Sequence, residues 1–229
     1  MRAYTAAQVR AAEAPHLAAG EPLMARAAHA LARAIRRELD DRGIGIHSAR
    51  ILLLVGSGDN GGDALFAGSE LALAGAAVAI APLGSRMHEA GADAAARAGG
   101  RVVRPDSPAF ADALEHADVV VDGVLGTGSA GDPALRAPAR SVVERVVRRL
   151  ERAPRPFVVA VDLTSGLHPD SGETPGGVVL PADLTVTFGA AKAGLLRGRG
   201  PDLAGRIEVV DIGIGDELAG MTPALDLPD

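Results

Sequence analysis

Three short stretches hold most of the side chains able to do chemistry. Residues 56–64 read "GSGDNGGDA" directly after the apolar run "ILLLV", and set Asp59, Asn60 and Asp63 among glycines. Glycine allows positive φ and close backbone approach, and a helix starting near Asp63 would aim its free amides at the loop, so a phosphate could sit there. Residues 123–132, "GVLGTGSAGD", follow Asp122, a carboxylate that ends the apolar stretch "DVVV". Residues 163–173, "LTSGLHPDSGE", follow Asp162 at the end of "PFVVAVD", with Ser165 three positions further on. A carboxylate closing an apolar strand is costly unless a partner meets it.

Several chemistries are excluded by what surrounds these stretches. "GSGDNG" satisfies G-x-G-x-x-G, but a dinucleotide-binding enzyme also needs an acidic residue at the end of the second strand to hold the ribose. That strand ends "AIAPLGSR", with no carboxylate before Glu89. Arg86 suits a 2′-phosphate, yet a dehydrogenase leaves the other two loops unexplained. There is no nucleophile elbow, because Leu163 stands where G-x-S-x-G requires glycine. His168, beside Pro169, reads as an exposed loop residue, and none of the six histidines forms a metal-ligand pair. The absence of cysteine excludes disulfides, thiolate metal sites and a cysteine nucleophile. A net charge of −6 and 2% aromatic residues argue against nucleic acid as a partner. The N-terminus shows no signal peptide, and the longest apolar stretch, residues 71–84, is interrupted by Gly75 and Pro82 and too short to span a bilayer. A cytoplasmic protein with no membrane partner is expected.

The elements that would position the three loops follow from the apolar pattern. Residues 5–17 and 21–41 have helical spacing, the second through Leu23, Met24, Ala27, Ala28, Leu31, Ile35 and Leu39. Strands are expected at 50–55, 77–81, 101–103, 118–122, 156–162, 183–188 and 206–211, with helices at 63–74, 87–98, 107–115 and 133–152. Continuous apolar strands alternating with helices predict an α/β fold: a Rossmann-like three-layer α/β/α sandwich around a mostly parallel, doubly wound sheet, with two leading N-terminal helices. In such a sheet ligands bind beyond the carboxyl ends of the strands, where strand order reverses. The first and fourth strands should be neighbours there, with the fifth beside the fourth, which brings the three loops to one crevice. At 229 residues the chain suits a single domain, with 214–229 as an irregular tail or linker.

"GSGDNGGDAL", "VVVDGVLGTG", "VVAVDLTSGLHPDSG" and "LTVTFGAAKAGLL", in that order, resemble the NAD(P)H-hydrate epimerase family, or YjeF N-terminal domain. "TAAQVRAAE" and "EPLMARAA" look like its two leading helices, and the resemblance covers roughly residues 5–213. It implies interconversion of the R and S forms of hydrated NADH and NADPH (NADHX and NADPHX). A separate or fused dehydratase then repairs the S form. By resemblance, Asp59, Asn60, Gly61, Gly62 and Asp63 line the substrate site with Gly126, Thr127, Gly128, Ser129, Ala130, Gly131 and Asp132, and Asp162 faces the nicotinamide ring. It also implies one potassium ion per subunit, held by Asn60, Asp122 and Ser165. Such oxygen-only ligands suit a hard cation better than zinc. The chain departs from the family pattern at Asp59 (usually Asn), Ala64 and Ala28 (usually Gly) and Thr164 (usually Pro).

Of the 23 Lys and Arg residues only Lys192 is a lysine, and the family carries one in this "F-G-x-x-K-x-G" motif. A compact ammonium on the loop after the sixth strand is expected near Asp162 or the substrate. Acid assistance at the ring hydroxyl would give a conjugated iminium to which water returns on either face, and Asp162, with Lys192, is the expected catalytic group. The alternative is a non-catalytic nucleotide-sensing or dimerisation module of the same fold. The Ala- and Leu-rich leading helices offer a face for a homodimer.

Overall fold

The computed structural model describes residues 1–227. In chain order, strand β1 (Arg2–Tyr4) precedes helices α1 (Ala6–Ala18) and α2 (Leu23–Asp41), then β2 (Arg50–Val55), α3 (Asp59–Leu73), β3 (Ala77–Pro82), α4 (Glu89–Arg97) and β4 (Arg101–Val102). There follow α5 (Pro108–Glu115), β5 (Val119–Gly123), α6 (Ala139–Leu150), β6 (Phe157–Val161), β7 (Leu184–Phe188) and β8 (Ala191–Lys192). The chain then forms α7 (Gly200–Leu203), β9 (Arg206–Val210), α8 (Gly215–Ala219) and β10 (Leu225–Asp226). Among the described residues, no helix is long and apolar enough to cross a membrane.

Seven strands form one sheet in the order β4-β3-β2-β5-β6-β7-β9, every neighbouring pair parallel. Both faces are covered, which is why the strands are apolar throughout rather than alternating with polar residues. Ile51, Leu53 and Val55 of β2 point to the layer that contains α2 and α3, with Leu31, Ile35, Leu65 and Leu71. Leu52 and Leu54 point to the other layer, with Phe110 of α5 and Val142, Val143 and Val146 of α6. The expected three-layer sandwich is therefore the observed one, with strand order reversing between β2 and β5.

Three features differ from the sequence expectation. Helix α3 starts at Asp59, not Asp63, despite Gly61 and Gly62 in its first turns. Tertiary packing overrides propensity there: a Cβ on Gly61 would lie 2.3 Å from the Gly56 carbonyl, so the helix start needs a residue without a side chain. A second sheet, β10-β1-β8, joins the N-terminal strand to Lys192, with β1 parallel to β8 and antiparallel to β10. Its strands are too short for any apolar period to show. The segment 214–229, expected to be irregular, carries α8 and β10, and Gln8 of α1 donates to the Thr222 carbonyl at 2.7 Å; residues 228 and 229 lie outside the described residues.

Helix α1 is fixed at both ends. Thr5 caps its start reciprocally with Gln8, the Thr5 Oγ1 accepting from Gln8 N at 3.2 Å and Thr5 N donating to Gln8 Oε1 at 2.9 Å. At its other end His16 lies between Glu21 (Nδ1 to Oε1, 2.8 Å) and Glu217 of α8 (Nε2 to Oε2, 3.0 Å, close but off the hydrogen-bond axis). Glu217 and then Glu21 raise the His16 pKa, and His16 lowers both of theirs. A raised imidazole contributes stability below its ordinary value of 6.5, lost as pH climbs through the folded value. A lowered carboxylate contributes above its ordinary value of 4.5, lost as pH falls through the folded value. The melting-temperature advantage of the natural protein over His16→Gln should therefore be largest between pH 4.5 and 6.5 and shrink on either side. A flat difference across pH 4–9 in thermal melts would show that the bridge does not form.

Candidate functional site

The loops after β2, β5 and β6 meet at the carboxyl edge of three adjacent strands, and specific hydrogen bonds join them. Asp122, fully buried on β5, accepts from Ser165 twice: from Oγ at 2.6 Å and from the backbone N at 2.9 Å. Ser165 Oγ in turn accepts from Leu125 N at 2.9 Å. Asn60, in the first turn of α3, donates from Nδ2 to the carbonyls of Leu125, at 3.2 Å, and Val161. Asn60 thus touches both other loops. The approach is tight: a Cβ on Gly126 would lie 2.1 Å from Asn60 Oδ1, and one on Gly56 2.0 Å from the Val124 carbonyl. Burial pushes the Asp122 carboxyl up to about 6, against the lowering effect of hydrogen bonds from Ser165 and Val124.

At the end of β6 the chain turns through Asp162, the one non-glycine residue with positive φ (64°) among the described residues. Aspartate tolerates this left-handed conformation better than most residues. The carboxylate is 5% exposed, and its Oδ1 accepts from Thr187 Oγ1 at 3.0 Å, Phe188 N at 3.2 Å and Lys192 Nζ. Among the described residues no group donates to its Oδ2. Lys192, 1% exposed, also donates to Thr187 Oγ1 at 3.1 Å and to the Phe188 carbonyl at 2.8 Å, so all three N–H bonds of the ammonium are used. The lysine lies near Asp162 as expected, but on β8 rather than on a loop, paired in register with Tyr4 of β1.

Between the loops after β2, β3 and β5 lies a cavity of about 990 Å³. Asp59, Asn60, Gly126, Thr127, Gly128, Ser129 and Asp132 line it; Gly61, Gly62, Asp63, Ala130, Gly131 and Asp162 do not. The reason for the first three is the early helix start, which turns residues 61–63 into the packed first turns of α3. The cavity also reaches Ser57, Gly84, Ser85 and Ala139, so the amino ends of α3 and α6 both open onto it. Free amides at helix starts favour anions.

Two groups escaped the sequence reading. Glu13 of α1 is half-buried, with burial raising its pKa and Lys192 lowering it, and Asp162 and Asp59 add to the rise. Its spacing from Ala6 and Val9 puts a charge on the buried stripe of α1, a signal visible in the sequence. Thr187 is a polar residue inside the apolar strand "LTVTF". His168 is half-buried rather than exposed, its Nδ1 accepting from the backbone of Asp170 and Ser171, which closes the loop after β6. The Thr164 hydroxyl is buried without a partner, and nothing in the structure explains it.

The Asp162–Lys192 pair should respond to substitution as a buried ion pair does. Breaking it with Lys192→Met leaves a desolvated carboxylate and should cost about 3–5 kcal/mol in urea unfolding. Adding Asp162→Asn to that variant removes the stranded charge and should recover most of the loss. A single variant within about 1 kcal/mol of the natural protein would mean that the charges are not desolvated together.

A sequence model of the family described as "YjeF-related protein N-terminus" matches residues 20–194. The chain is 50% identical over 223 residues to the NAD(P)H-hydrate epimerase of Microbacterium testaceum, covering 97% of this chain and 83% of that protein. It is 47% identical to the protein of the same name from Clavibacter michiganensis subsp. michiganensis, covering 96% and 93%. It is 40% identical to the bifunctional NAD(P)H-hydrate repair enzyme Nnr of Mycobacterium tuberculosis, with 92% of this chain covering 41% of that longer protein. The crystal structure of the yeast protein ynu0 superposes with a TM-score of 0.73 at 20% identity, over 85% of this chain and 83% of that one, a likeness of fold. With the family match spanning most of its length and relatives near half identity, the chain belongs to the YjeF-related N-terminal family.

Proposed function

We propose that this protein is an NAD(P)H-hydrate epimerase, an isomerase that interconverts the R and S forms of NADHX and NADPHX. The observation that carries the reading is the Asp162 carboxylate. It is buried at the meeting point of three loops, held by three donors on one oxygen and free of protein donors on the other. The names of relatives near half identity supply the substrate class. A dinucleotide's phosphates suit the cavity flanked by the amino ends of α3 and α6, and its hydrated ring suits the neighbourhood of Asp162. Lys192 spends all its N–H bonds within the protein, which supports a role in positioning Asp162 rather than in passing a proton itself. The intact pair also argues against a non-catalytic module. A dehydratase, fused or separate, is the companion activity this reading implies, and the uncovered length of the bifunctional repair enzyme leaves room for a second activity there.

The same reading includes one potassium ion held by Asn60, Asp122 and Ser165. The donors fit: amide, carboxylate and hydroxyl oxygens, with a buried carboxylate whose protein partners here are all neutral. No cluster of three His, Cys, Asp or Glu residues suited to a metal ion occurs among the described residues. A bound monovalent cation would balance the Asp122 charge and fix the loops relative to one another. A ligand that binds only the native state raises stability by mass action. Melting temperature should rise more with potassium chloride than with matched tetramethylammonium chloride, and Asp122→Asn should erase the difference. Identical melts in the two salts would remove the ion from this account.

Activity is tested by incubating the protein with a defined R/S mixture of NADHX and following the ratio by chromatography. The ratio should move to equilibrium with the natural protein, and the rate should fall by about 10²–10⁴-fold in the charge-neutral Asp162→Asn/Lys192→Met pair, which keeps the fold. A smaller loss is expected for Asp59→Asn, whose side chain is exposed. A folded double variant that epimerises at the natural rate would refute the role of Asp162.

A further inference from the structure

The mechanism above leaves one buried group unused. Asp63 lies one turn beyond the cavity-lining Asp59 on the same face of α3. It is 6% exposed, and its Oδ1 is buried with no hydrogen-bond partner among the described residues. Buried carboxylates ordinarily find donors, and one left without them is a group kept ready for something else. The charged groups that act on it are Asp59 on its own helix, Asp162 after β6 and Glu13 from α1, which oppose its charge, and Lys192 from β8, which favours it. Lys192 is already bonded to Asp162.

We propose that Asp63 is a second catalytic carboxyl: it gives a proton to the departing ring hydroxyl while Asp162 takes one from the water that adds. This rests on the epimerase reading and assigns a further residue to it. Burial, and then repulsion from Asp162, Asp59 and Glu13, raise the Asp63 pKa well above its ordinary 3.8, which favours the acid form a proton donor needs. Asp162, by contrast, is bonded to the Lys192 ammonium through one oxygen, with its other oxygen open to a proton. Two carboxyl groups with different environments thus divide acid and base between them.

The step balances. The ring C–O bond breaks with its electron pair going to oxygen, the Asp63 proton completes a water molecule, and the ring nitrogen lone pair forms the iminium. A water oxygen then bonds to the same carbon, on either face, and its surplus proton passes to the free oxygen of Asp162. The half-buried carboxyl of Glu13, which is coupled electrostatically to both acids, can return the proton from Asp162 to Asp63. In the opposite direction the two carboxyls exchange roles.

The test compares the natural protein with Asp63→Asn, which keeps the shape of a neutral acid but cannot donate its proton. On defined R/S mixtures of NADHX, kcat should fall by about 10²-fold or more with KM changed little, and the high-pH decline of the rate should disappear. Stability supplies a readout independent of activity. A carboxyl whose folded pKa is raised costs stability as pH climbs above the unfolded value. Asp63→Asn should therefore gain on the natural protein in thermal melts as pH rises from 4 to 8. If the variant instead loses ground as pH rises, Asp63 is an ionised structural group and the proposal falls. If the natural protein epimerises and Asp63→Asn does so at a similar rate, the proposal falls while the epimerase reading stands. If the natural protein leaves the ratio unchanged, both fall together.

Discussion

The ion pair between Asp162 and Lys192 is the constraint around which the rest of the site is arranged. Both partners are almost completely buried, and two charges removed from water recover that cost only when geometry and hydrogen bonding are complete. The structure meets the condition from three directions. β7 supplies Thr187 and the backbone of Phe188, the turn after β6 presents the carboxylate at positive φ, and β8 brings the ammonium. The small sheet that pairs β8 with β1 ties this arrangement to the N-terminus and, through α1 and His16, to α8. Elements remote in sequence are thereby committed to holding one carboxylate.

A second set of polar contacts does for the loops what the ion pair does for the acid. Asn60, Asp122 and Ser165 come from three different strand ends, and each is bonded to a neighbouring loop. The glycines at 56 and 126 let these loops approach closely enough for the bonds to form. Such side-chain networks are stable only when their members are satisfied, which ties the shape of the cavity wall to the buried contacts behind it. The departure at Asp59 falls outside the network, on the exposed lip of the cavity, where solvent moderates its charge.

The site sits where a doubly wound sheet makes it easiest to build. Strand order reverses between β2 and β5, so the helices following those strands leave on opposite faces and open a crevice between them. Carboxylates at the ends of β5 and β6 are then buried at the carboxyl edge of the sheet without interrupting the apolar ladder below. The left-handed turn at Asp162 and the early start of α3 are the two places where local preference gives way to the needs of the site.

The apolar runs, their lengths and the intervening helices by themselves determined the parallel sheet and the loops at the carboxyl ends of its strands, and the strand order followed once a Rossmann-like winding was taken for that sheet. Those properties depend on the pattern of burial, which a sequence carries directly. The four ordered motifs likewise pointed to the family that the comparisons establish. Tertiary structure decided the rest. The sequence could expect Lys192 near Asp162, but only the pairing of β8 with β1 makes it a buried strand residue whose bonds are all used. It placed Asp63 at the start of a helix, whereas the packing of Gly61 against Gly56 accompanies a helix that begins one turn earlier, with the Asp63 Oδ1 buried and without a hydrogen-bond partner among the described residues. Glu13 was legible only as one charge on the stripe of a leading helix, since nothing local says which distant groups that stripe will face. Strands of two or three residues, unpaired acids and the protonation they imply arise from contacts between distant segments, and no local pattern of residues records them.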